Sequence, residues 1–443
     1  MKRCIIEQSA DEIYTGCSGL ALVGLCINRY SNLAGIVGRT SQNQNNLISD
    51  SDLLRSYLGL LCTGKSDYEA VSSVREDSFF KESLRIDRVP SAEILRQRFD
   101  RDADRLRGAA QKSSLSLLKN SGITISPLET GHIPLDIDVF PMDNSGTKKE
   151  HVGRTYKGYD GYAPIAAYLG TEGWCLEIEL RPGSQHSQEQ FTPFLERVIE
   201  QARTLTRKKL LVRLDSAHDA FDNFVSLRHS HNVFFIVKWN PRREETKTLC
   251  RRAFTQGKVT EVRKGKRVAL LRTRKYRIHE GKRCYFTKII RVTERTIDKH
   301  GQLLLMPEIS IDGWWTNLGL PAEQIIALYE NHGLSEQFHS EFKTDLDIER
   351  LPSGKFATNA LVMTLGVFAY NILRIIGQFG LLDKNSPVRH PAKRRRIKTV
   401  LQELIHIAAR VIRSRNQLNL RFSCYCPVYP AFAGLYSRLA GVF

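Results

Sequence analysis

The stretch HIPLDIDVF at residues 132–140 decides the fold. Its residues alternate with a period of two, so that four apolar residues at odd positions fall on one side and Asp136 and Asp138 fall on the other. Such alternation predicts a β-strand, because successive side chains of a strand point to opposite faces of the sheet. Both aspartates share a face, so periodicity alone leaves open which of them has a chemical role.

The segments that follow predict an ordered series of strands and one helix. Residues 162–169 and 174–180 predict two further strands. Residues 190–203 have helical spacing, and residues 209–214 predict a buried strand that ends at Asp215. This β-β-β-α-β order, with one aspartate in the first strand and another after the fourth, predicts an α/β fold with an RNase H-like catalytic core, a mixed sheet flanked by helices.

A third set of polar residues lies in a later segment of helical character. Tyr329, His332, Glu336 and Lys343 are three, four and seven residues apart. At roughly 100° per residue they fall within a stripe about 60° wide on one helix. One helix face is therefore expected to present a phenol, an imidazole, a carboxylate and an amine together.

Asp138, Asp215 and Glu336 would supply three carboxylates to one site, with Asp136 as the alternate first aspartate. Hard divalent cations prefer oxygen ligands, and two such ions about 3.5–4 Å apart support in-line displacement at phosphorus. The sequence therefore predicts a metal-dependent phosphoryl-transfer enzyme with two Mg²⁺ ions per active site, for which Mn²⁺ would substitute.

The positive charge is concentrated in two zones, which indicates a polyanionic partner. The chain carries a formal charge of +19 and has a pI of about 9.6. Residues 242–299, the insertion zone, contain 20 Lys and Arg against 6 Asp and Glu, and residues 384–421, the C-terminal zone, contain 11 against 1. Their combined charge exceeds that of the whole chain, which favours two phosphate-binding surfaces for nucleic acid over a general solubilising coat.

Composition divides the chain into three parts. Residues 1–125 read as a helical domain of almost neutral charge, in which Ser91 predicts the N-cap of a long helix. Residues 126–385 predict the catalytic domain, interrupted by a β-rich basic insertion at about 232–318. Residues 386–443 form a basic C-terminal segment.

The cysteines and the apolar stretches predict a protein that stays inside the cell. The nine cysteines lack a CxxC pair and zinc-ligand spacing, which is typical of reduced thiols. Met1, Lys2 and Arg3 are followed by acidic residues instead of an apolar run, so no secretory signal is predicted. The apolar stretches at 19–27 and 360–382 are interpreted as core helices and not as membrane spans.

Tyr329, Glu336 and Lys343 also match a known signature. The chain resembles bacterial insertion-sequence DDE transposases with the Y-(2)-R-(3)-E-(6)-K signature, in particular those of insertion-sequence family thirteen-eighty. His332 stands where that pattern has arginine. Further blocks resemble the first-aspartate region, the connecting hairpin and the second-aspartate region of the family: residues 136–145, 148–150, 154–158, 160–164, 180–186 and 213–216.

The resemblance implies roles for individual residues. Asp138, Asp215 and Glu336 correspond to the catalytic, metal-binding triad, and the reaction is cleavage and strand transfer of DNA in cut-and-paste transposition. Histidine at position 332 lacks the permanently charged fork with which arginine grips two phosphate oxygens. The residues expected to contact DNA are Tyr329, His332, Lys343, Lys149, Lys157, Arg272, Arg274 and Trp315, the last as a receptor for a flipped base.

The same resemblance implies the partners. The N-terminal domain is expected to bind double-stranded DNA at the terminal inverted repeats of a transposon, and the enzyme is expected to act on target DNA as a homodimer assembled on DNA, in the bacterial cytoplasm at the nucleoid. Two alternatives remain: an RNase H-like two-metal nuclease, and a catalytically inactive DNA-binding protein derived from a transposase. The three intact carboxylates disfavour the inactive protein.

Overall fold

A helical N-terminal part precedes a series of strands and helices, and the computed structural model describes residues 4–40, 47–241, 245–298, 300–331, 334–415 and 417–441. The strands are β1 Ile13–Thr15, β2 Ile133–Val139, β3 Met142–Asp143, β4 Gly153–Arg154, β5 Asp160–Tyr162, β6 Ile165–Leu169, β7 Trp174–Glu179, β8 Leu210–Leu214, β9 Val233–Lys238, β10 Lys258–Arg263, β11 Lys266–His279, β12 Lys282–Ile297, β13 Leu303–Thr316, β14 Ala409–Ser414 and β15 Gln417–Arg421. The helices are α1 Leu20–Cys26, α2 Leu33–Thr40, α3 Asp50–Leu61, α4 Ser78–Leu84, α5 Ala92–Asn120, α6 Phe191–Leu205, α7 Phe221–His229, α8 Thr246–Gln256, α9 Ala322–Glu330, α10 Leu334–Ser340, α11 Phe356–Gly380, α12 Ile397–Val400 and α13 Tyr429–Ala440.

A mixed sheet of nine strands, in the order β10-β11-β12-β13-β9-β8-β2-β6-β7, organises the molecule. Strand β2 runs parallel to β8, with Ile137 opposite Leu214, and antiparallel to β6, with Asp138 opposite Ala166. Because parallel strands end at the same edge of a sheet, the register brings the ends of β2 and β8 together. The predicted mixed sheet flanked by helices is confirmed.

The apolar residues of β2 face a core shared by the sheet and the longest apolar helix. Ile133, Leu135 and Ile137 are fully buried. Helix α11 packs on α5 and on β7, and nearly all of its length is buried. Burial of this much apolar surface is the main favourable term in folding, and it fixes the position of the sheet edge relative to the helices.

The β-rich insertion continues the same sheet. Strands β11 and β12 form a long hairpin, and β13 returns to pair with β9 at Trp314–Thr316. Helix α8, which the sequence did not predict, packs on β11 and β12 and covers part of this extension. The insertion therefore contains a helix as well as strands.

The two ends of the chain pack on one another. Helix α5 begins at its predicted N-cap, where the Ser91 side chain accepts a hydrogen bond from the Ile94 backbone N–H at 3.2 Å. Strand β1 pairs with β14 of the C-terminal segment. The N-terminal segment is helical as predicted, and its apolar residues belong to the same core as those of the sheet. The domain boundaries and the N-terminal DNA-binding role stay predictions.

Two apolar segments are long enough to be compared with membrane spans. Helix α11 is long and apolar enough to cross a membrane, and so is the bent pair Leu20–Ser31 and Leu33–Arg39 if the pair is counted as one span. In the most apolar window of α11, 94% of the residues are buried inside the protein. The apolar character of α11 is therefore explained by its place in the core.

Candidate active site

Asp138 and Asp215 lie at the shared edge of β2 and β8. Asp138 is the penultimate residue of β2, and its carboxylate accepts a hydrogen bond from the Val139 N–H at 2.8 Å. Asp215 follows β8 and caps the short 3₁₀ turn Ser216–His218, where it accepts from the Ala217 N–H at 3.1 Å. The two side chains are 24% and 42% exposed. Both can therefore meet solvent and a substrate.

Asp136, the alternate first aspartate, has a different environment. Its side chain is buried, and the Arg213 guanidinium donates to both carboxylate oxygens at 2.6 and 2.7 Å. Arg213 also donates to the Leu328 carbonyl at 2.7 Å and so ties α9 to the sheet. A bidentate pair of this kind neutralises the carboxylate and occupies its oxygens. Asp136 is thus a structural anchor, which leaves Asp138 as the candidate first aspartate.

The third carboxylate lies within electrostatic range of the first. The pKa of Asp138 is raised to about 7, first by burial, then by the negative charge of Asp215, with Glu336 contributing as well. Burial also raises the pKa of Asp215. Like charges raise each other's pKa because each disfavours ionisation of its neighbour. A proton or a cation is needed to compensate this site at neutral pH.

The helix that carries Glu336 is not the single continuous helix that the spacing predicted. Helix α9 ends at Glu330, and α10 begins at Leu334 with Glu336 in its first turn. The prediction of one stripe on one helix was wrong, because α9 ends at Glu330, between Tyr329 and Glu336. His332 lies outside the described residues.

Lys343 approaches the end of β2 from a π-helical turn, Glu341–Asp345, that follows α10. Its ammonium donates to the Pro141 carbonyl at 3.1 Å and forms an ion pair with Glu349 at 2.6 Å. Pro141 is three residues beyond Asp138 in the chain. The lysine is therefore held close to the candidate site by two acceptors.

The carboxylates of Asp138, Asp215 and Glu336 suit a hard divalent cation as ligands. Their mutual repulsion contributes to the raised pKa of Asp138. Among the residues that the structure describes, no three His, Cys, Asp or Glu side chains are grouped so that they could hold one metal ion. The chemistry of the residues fits the ion, and the ligand geometry stays a prediction.

The two aromatic candidates, Tyr329 and Trp315, differ in their relation to the aspartates. Tyr329 is half-buried next to Trp314, and its pKa is raised by burial and by the charges of Asp215 and Asp138. Trp315 is half-buried between core clusters, 5.7 Å from Phe224 between ring centroids, and its indole nitrogen is buried. The phenol of Tyr329 therefore lies near the aspartates, whereas the packing of Trp315 argues against the predicted base receptor.

Lys149 and Lys157, two of the three lysines predicted to contact DNA, differ in direction. The Lys149 ammonium donates to the Asn144 side chain at 2.9 Å and to the Leu351 carbonyl at 2.5 Å. Lys149 is thus an internal clamp, and its predicted contact with DNA stays a prediction. Lys157 is exposed on a turn, 5.6 Å from the ring centroid of Tyr156.

Arg272 and Arg274 lie on the exposed face of the β11–β12 hairpin. Arg272 donates to the Leu320 carbonyl at 3.1 Å. Arg274 lies over the ring of Tyr285, 4.3 Å from its centroid. Within the described part of the chain neither guanidinium forms an ion pair with a carboxylate, so both charges remain available to a partner.

Sequence reasoning missed three residues at this edge. Arg213 neutralises Asp136, His339 stacks on Phe140 with its Nδ1 3.9 Å from the Asp138 carboxylate, and Tyr156 directs its hydroxyl toward β2. The first two contacts join residues far apart in the chain, so no local sequence pattern predicts them. Tyr156 had a usable signal, since it precedes Lys157-Gly158 in a turn-like sequence between two strands.

One comparison with known proteins identifies a family for most of the chain. A family model described as "Transposase DDE domain group 1" matches residues 24–442. No curated protein sequence matches the chain. Among solved structures, a cryo-EM structure of piggyBac transposase in a synaptic complex with hairpin DNA matches at 9% identity, covering 89% of this chain and 82% of that chain, with a TM-score of 0.40.

Proposed function

Because the chain belongs to the family of transposase DDE domains, group 1, we propose that it is the transposase of a bacterial insertion sequence and cleaves and joins DNA at the ends of that element. The observation that carries the proposal is the parallel register of β2 and β8, which brings Asp138 and Asp215 to one sheet edge within electrostatic range of Glu336. This arrangement supports an RNase H-like core for the catalytic domain.

In this proposal Asp138, Asp215 and Glu336 hold two Mg²⁺ ions, or Mn²⁺ in their place. The bound ions would supply an activated water or 3′-hydroxyl and would neutralise charge at the scissile phosphate. Asp136 and Arg213 keep the β2–β8 edge and α9 in fixed relation. Lys343, held by Pro141 and Glu349, can place its positive charge near a DNA backbone.

The proposed substrate is double-stranded DNA at terminal inverted repeats together with target DNA. Arg272 and Arg274 support this substrate, because exposed arginines without carboxylate partners among the described residues suit backbone phosphates. A homodimer assembled on DNA in the bacterial cytoplasm is part of the same proposal.

The test is cleavage of a duplex that carries the terminal sequence flanking the coding region. Asp138→Asn, Asp215→Asn and Glu336→Gln should each lower the Mg²⁺-dependent cleavage rate about a thousandfold, roughly 4 kcal/mol of transition-state stabilisation, because each loses metal charge but keeps its shape. Binding of the duplex in a gel shift should change little. Glu200→Gln, on the exposed face of α6, is the matched control and should cleave like the wild type.

Each outcome has a distinct meaning. Strong residual cleavage by one of the three variants removes that residue from the site. Cleavage by the wild type without joining of the ends to target DNA would favour the two-metal nuclease, and specific binding without cleavage would favour the inactive DNA-binding protein.

A further inference from the structure

An exposed phenol stands next to the candidate aspartates on a preformed turn. Residues 155–158 form a β-turn in which the Gly158 N–H donates to the Thr155 carbonyl at 3.0 Å, and Tyr156 and Lys157 occupy its two central positions. Gly158 has φ +86°, a left-handed conformation that favours glycine. The Thr155 N–H and hydroxyl both donate to the Tyr159 carbonyl, at 2.9 and 2.8 Å. The backbone therefore sets the direction of both side chains at the tip.

The base of this hairpin is fixed to the body of the protein. Tyr162, in β5, is fully buried and donates to the Glu150 carbonyl at 2.8 Å. A side chain at Gly161 would collide with the Met142 carbonyl, and one at Gly183 would collide with the carbonyls of Gly153 and Gly161. These close backbone approaches pack the hairpin directly against the backbone at Met142 and Gly183.

The position of Tyr156 relates it to the site. Its side chain is 66% exposed, while its hydroxyl lies 3.4 Å from the Val139 carbonyl, one residue beyond Asp138. The pKa of Tyr156 is raised to about 12 by burial and by the charges of Asp138 and Asp215. The phenol therefore stays protonated at neutral pH, with its hydroxyl near the aspartates and its ring open to solvent.

Exposed aromatic residues are common on protein surfaces and need no special explanation when they are isolated. Tyr156 differs because its ring lies beside a site proposed to hold a DNA phosphate, with Lys157 next to it. In DNA a nucleobase lies close to every phosphate, and stacking of a base on an aromatic ring is favourable whatever the base. Trp315, the aromatic residue that the sequence favoured, is packed between core clusters.

We propose that Tyr156 contacts the substrate directly, its ring stacking on the nucleobase next to the scissile phosphate while Lys157 binds the adjoining backbone. The inference rests on the proposed function, because it takes DNA as the substrate and the β2–β8 edge as the site of cleavage. It assigns to the Tyr156 turn a role in positioning the DNA strand over the carboxylates.

The experiment compares Tyr156→Ala, Tyr156→Phe and Tyr156→Trp in the full chain. Tyr156→Ala should lower kcat/KM for cleavage about tenfold, the usual size of a base-stacking contribution. Tyr156→Phe and Tyr156→Trp should stay within about threefold of the wild type, because both keep a stacking face. Tyr425→Ala is the matched control, since Tyr425 is 90% exposed in the C-terminal segment.

A modified substrate sharpens the test. Removal of the base next to the scissile phosphate should slow the wild type about as much as Tyr156→Ala does, and should slow Tyr156→Ala no further, because the stacking partner is already lost. A fluorescent 2-aminopurine at that position, bound to the Glu336→Gln variant, should be quenched when Tyr156 is present and brighter when it is alanine.

Three results would overturn the inference: Tyr156→Ala that cleaves like Tyr425→Ala, Tyr156→Phe that is as slow as Tyr156→Ala, or additive losses from the abasic substrate and Tyr156→Ala. A wild type that neither binds nor cleaves the terminal duplex overturns the proposed function instead. The two failures are therefore distinguishable.

Discussion

The insertion zone and the C-terminal zone look alike in sequence and are used differently in the structure. On the hairpin of the insertion zone, Arg274 and Arg283 are exposed and lie over the rings of Tyr285 and Tyr276, 4.3 and 4.9 Å from the centroids. The register of β11 and β12 pairs the two tyrosines directly. The result is a row of alternating cations and aromatic rings that faces outward.

The arginines at the start of the C-terminal zone turn inward. Arg394 binds the fully buried carboxylate of Glu341 at 2.5 Å and the Gln337 side chain at 2.6 Å. Arg396 forms an ion pair with Asp345 at 2.9 Å. Arg395 donates to three backbone carbonyls, those of Leu381, His390 and Val388.

Three arginines of the C-terminal zone are thus taken up by protein acceptors, and phosphate binding by either zone stays a prediction. A run of like charges faces solvent where no acceptor is near. It forms an internal clamp where buried carboxylates and carbonyls accept hydrogen bonds from its side chains. Because Gln337 is the neighbour of Glu336, the clamp of Arg394 also fixes the helix that carries the candidate catalytic glutamate. The arginines neutralise Glu341 and Asp345, whereas among the described residues Asp138 has no Arg or Lys ion-pair partner and lies 3.9 Å from the His339 ring.

The largest expected effect tests this contrast between compensated and uncompensated carboxylates. The pKa of Asp138 is about 7 in the folded protein, against about 3.9 in the unfolded chain. Between those values the folded state binds more protons, so the free energy of unfolding should fall as pH rises from about 4 to about 7, by at most about 4 kcal/mol. Asp138→Asn should remove this dependence and be more stable than the wild type at pH 8.

The measurement is urea unfolding at pH 5 and pH 8 in the presence of a chelator. Replacing the chelator with Mg²⁺ at pH 8 should raise the Tm of the wild type and not that of Asp138→Asn. If the difference in the free energy of unfolding between the wild type and Asp138→Asn were the same at pH 5 and pH 8, Asp138 would be compensated by another group.

The next effect concerns the inward-facing arginines. Arg394→Met should lower the free energy of unfolding by about 3 kcal/mol, because it withdraws one of two guanidinium partners from the buried Glu341. Arg274→Met on the exposed hairpin should change it by less than about 0.5 kcal/mol. A double-mutant cycle with Glu341→Gln should show strong coupling to Arg394→Met, and equal losses for Arg394→Met and Arg274→Met would abolish the contrast between the zones.

A smaller effect tests the outward-facing zone through salt dependence. Arg272→Glu with Arg274→Glu should weaken binding to terminal and random duplex alike and reduce the slope of log affinity against log salt by roughly two units, since each phosphate contact contributes about 0.9. Arg389→Glu with Lys393→Glu, two exposed positions of the C-terminal zone, is the comparison. An equal loss in both would confine the difference between the zones to Arg394, Arg395 and Arg396.

The smallest effect separates buried clamps from surface pairs within the C-terminal zone. Arg413 pairs with Glu82 at 2.7 Å, with the two side chains 39% and 45% exposed. Glu82→Gln should change the free energy of unfolding by less than about 1 kcal/mol, because solvent screens such pairs. A loss as large as that from Arg394→Met would mean that exposure does not predict the contribution of an arginine in this zone.

Local patterns in the sequence were enough for much of the sheet and for the identity of the candidate carboxylates. Periodic side-chain patterns of neighbouring residues predicted the strand around Asp138, the buried strand before Asp215 and β9. Such patterns predict strands because each strand buries one or both of its faces. Ser91 was predictable as an N-cap for the same reason, since it serves its own helix. The family resemblance added the roles of Asp138, Asp215 and Glu336, which stay proposals.

Tertiary structure alone decided which of the two aspartates on β2 pairs with an arginine and where the arginines of each basic zone face. Asp136 and Asp138 are equivalent by period, and Arg213, 77 residues beyond Asp136, distinguishes them by neutralising one. The inward turn of Lys149 and the clamp of Arg394 on Glu341 likewise depend on partners remote in the chain. Sequence periodicity records which face of an element is apolar, whereas the partner of a charged side chain is fixed only when distant elements pack together.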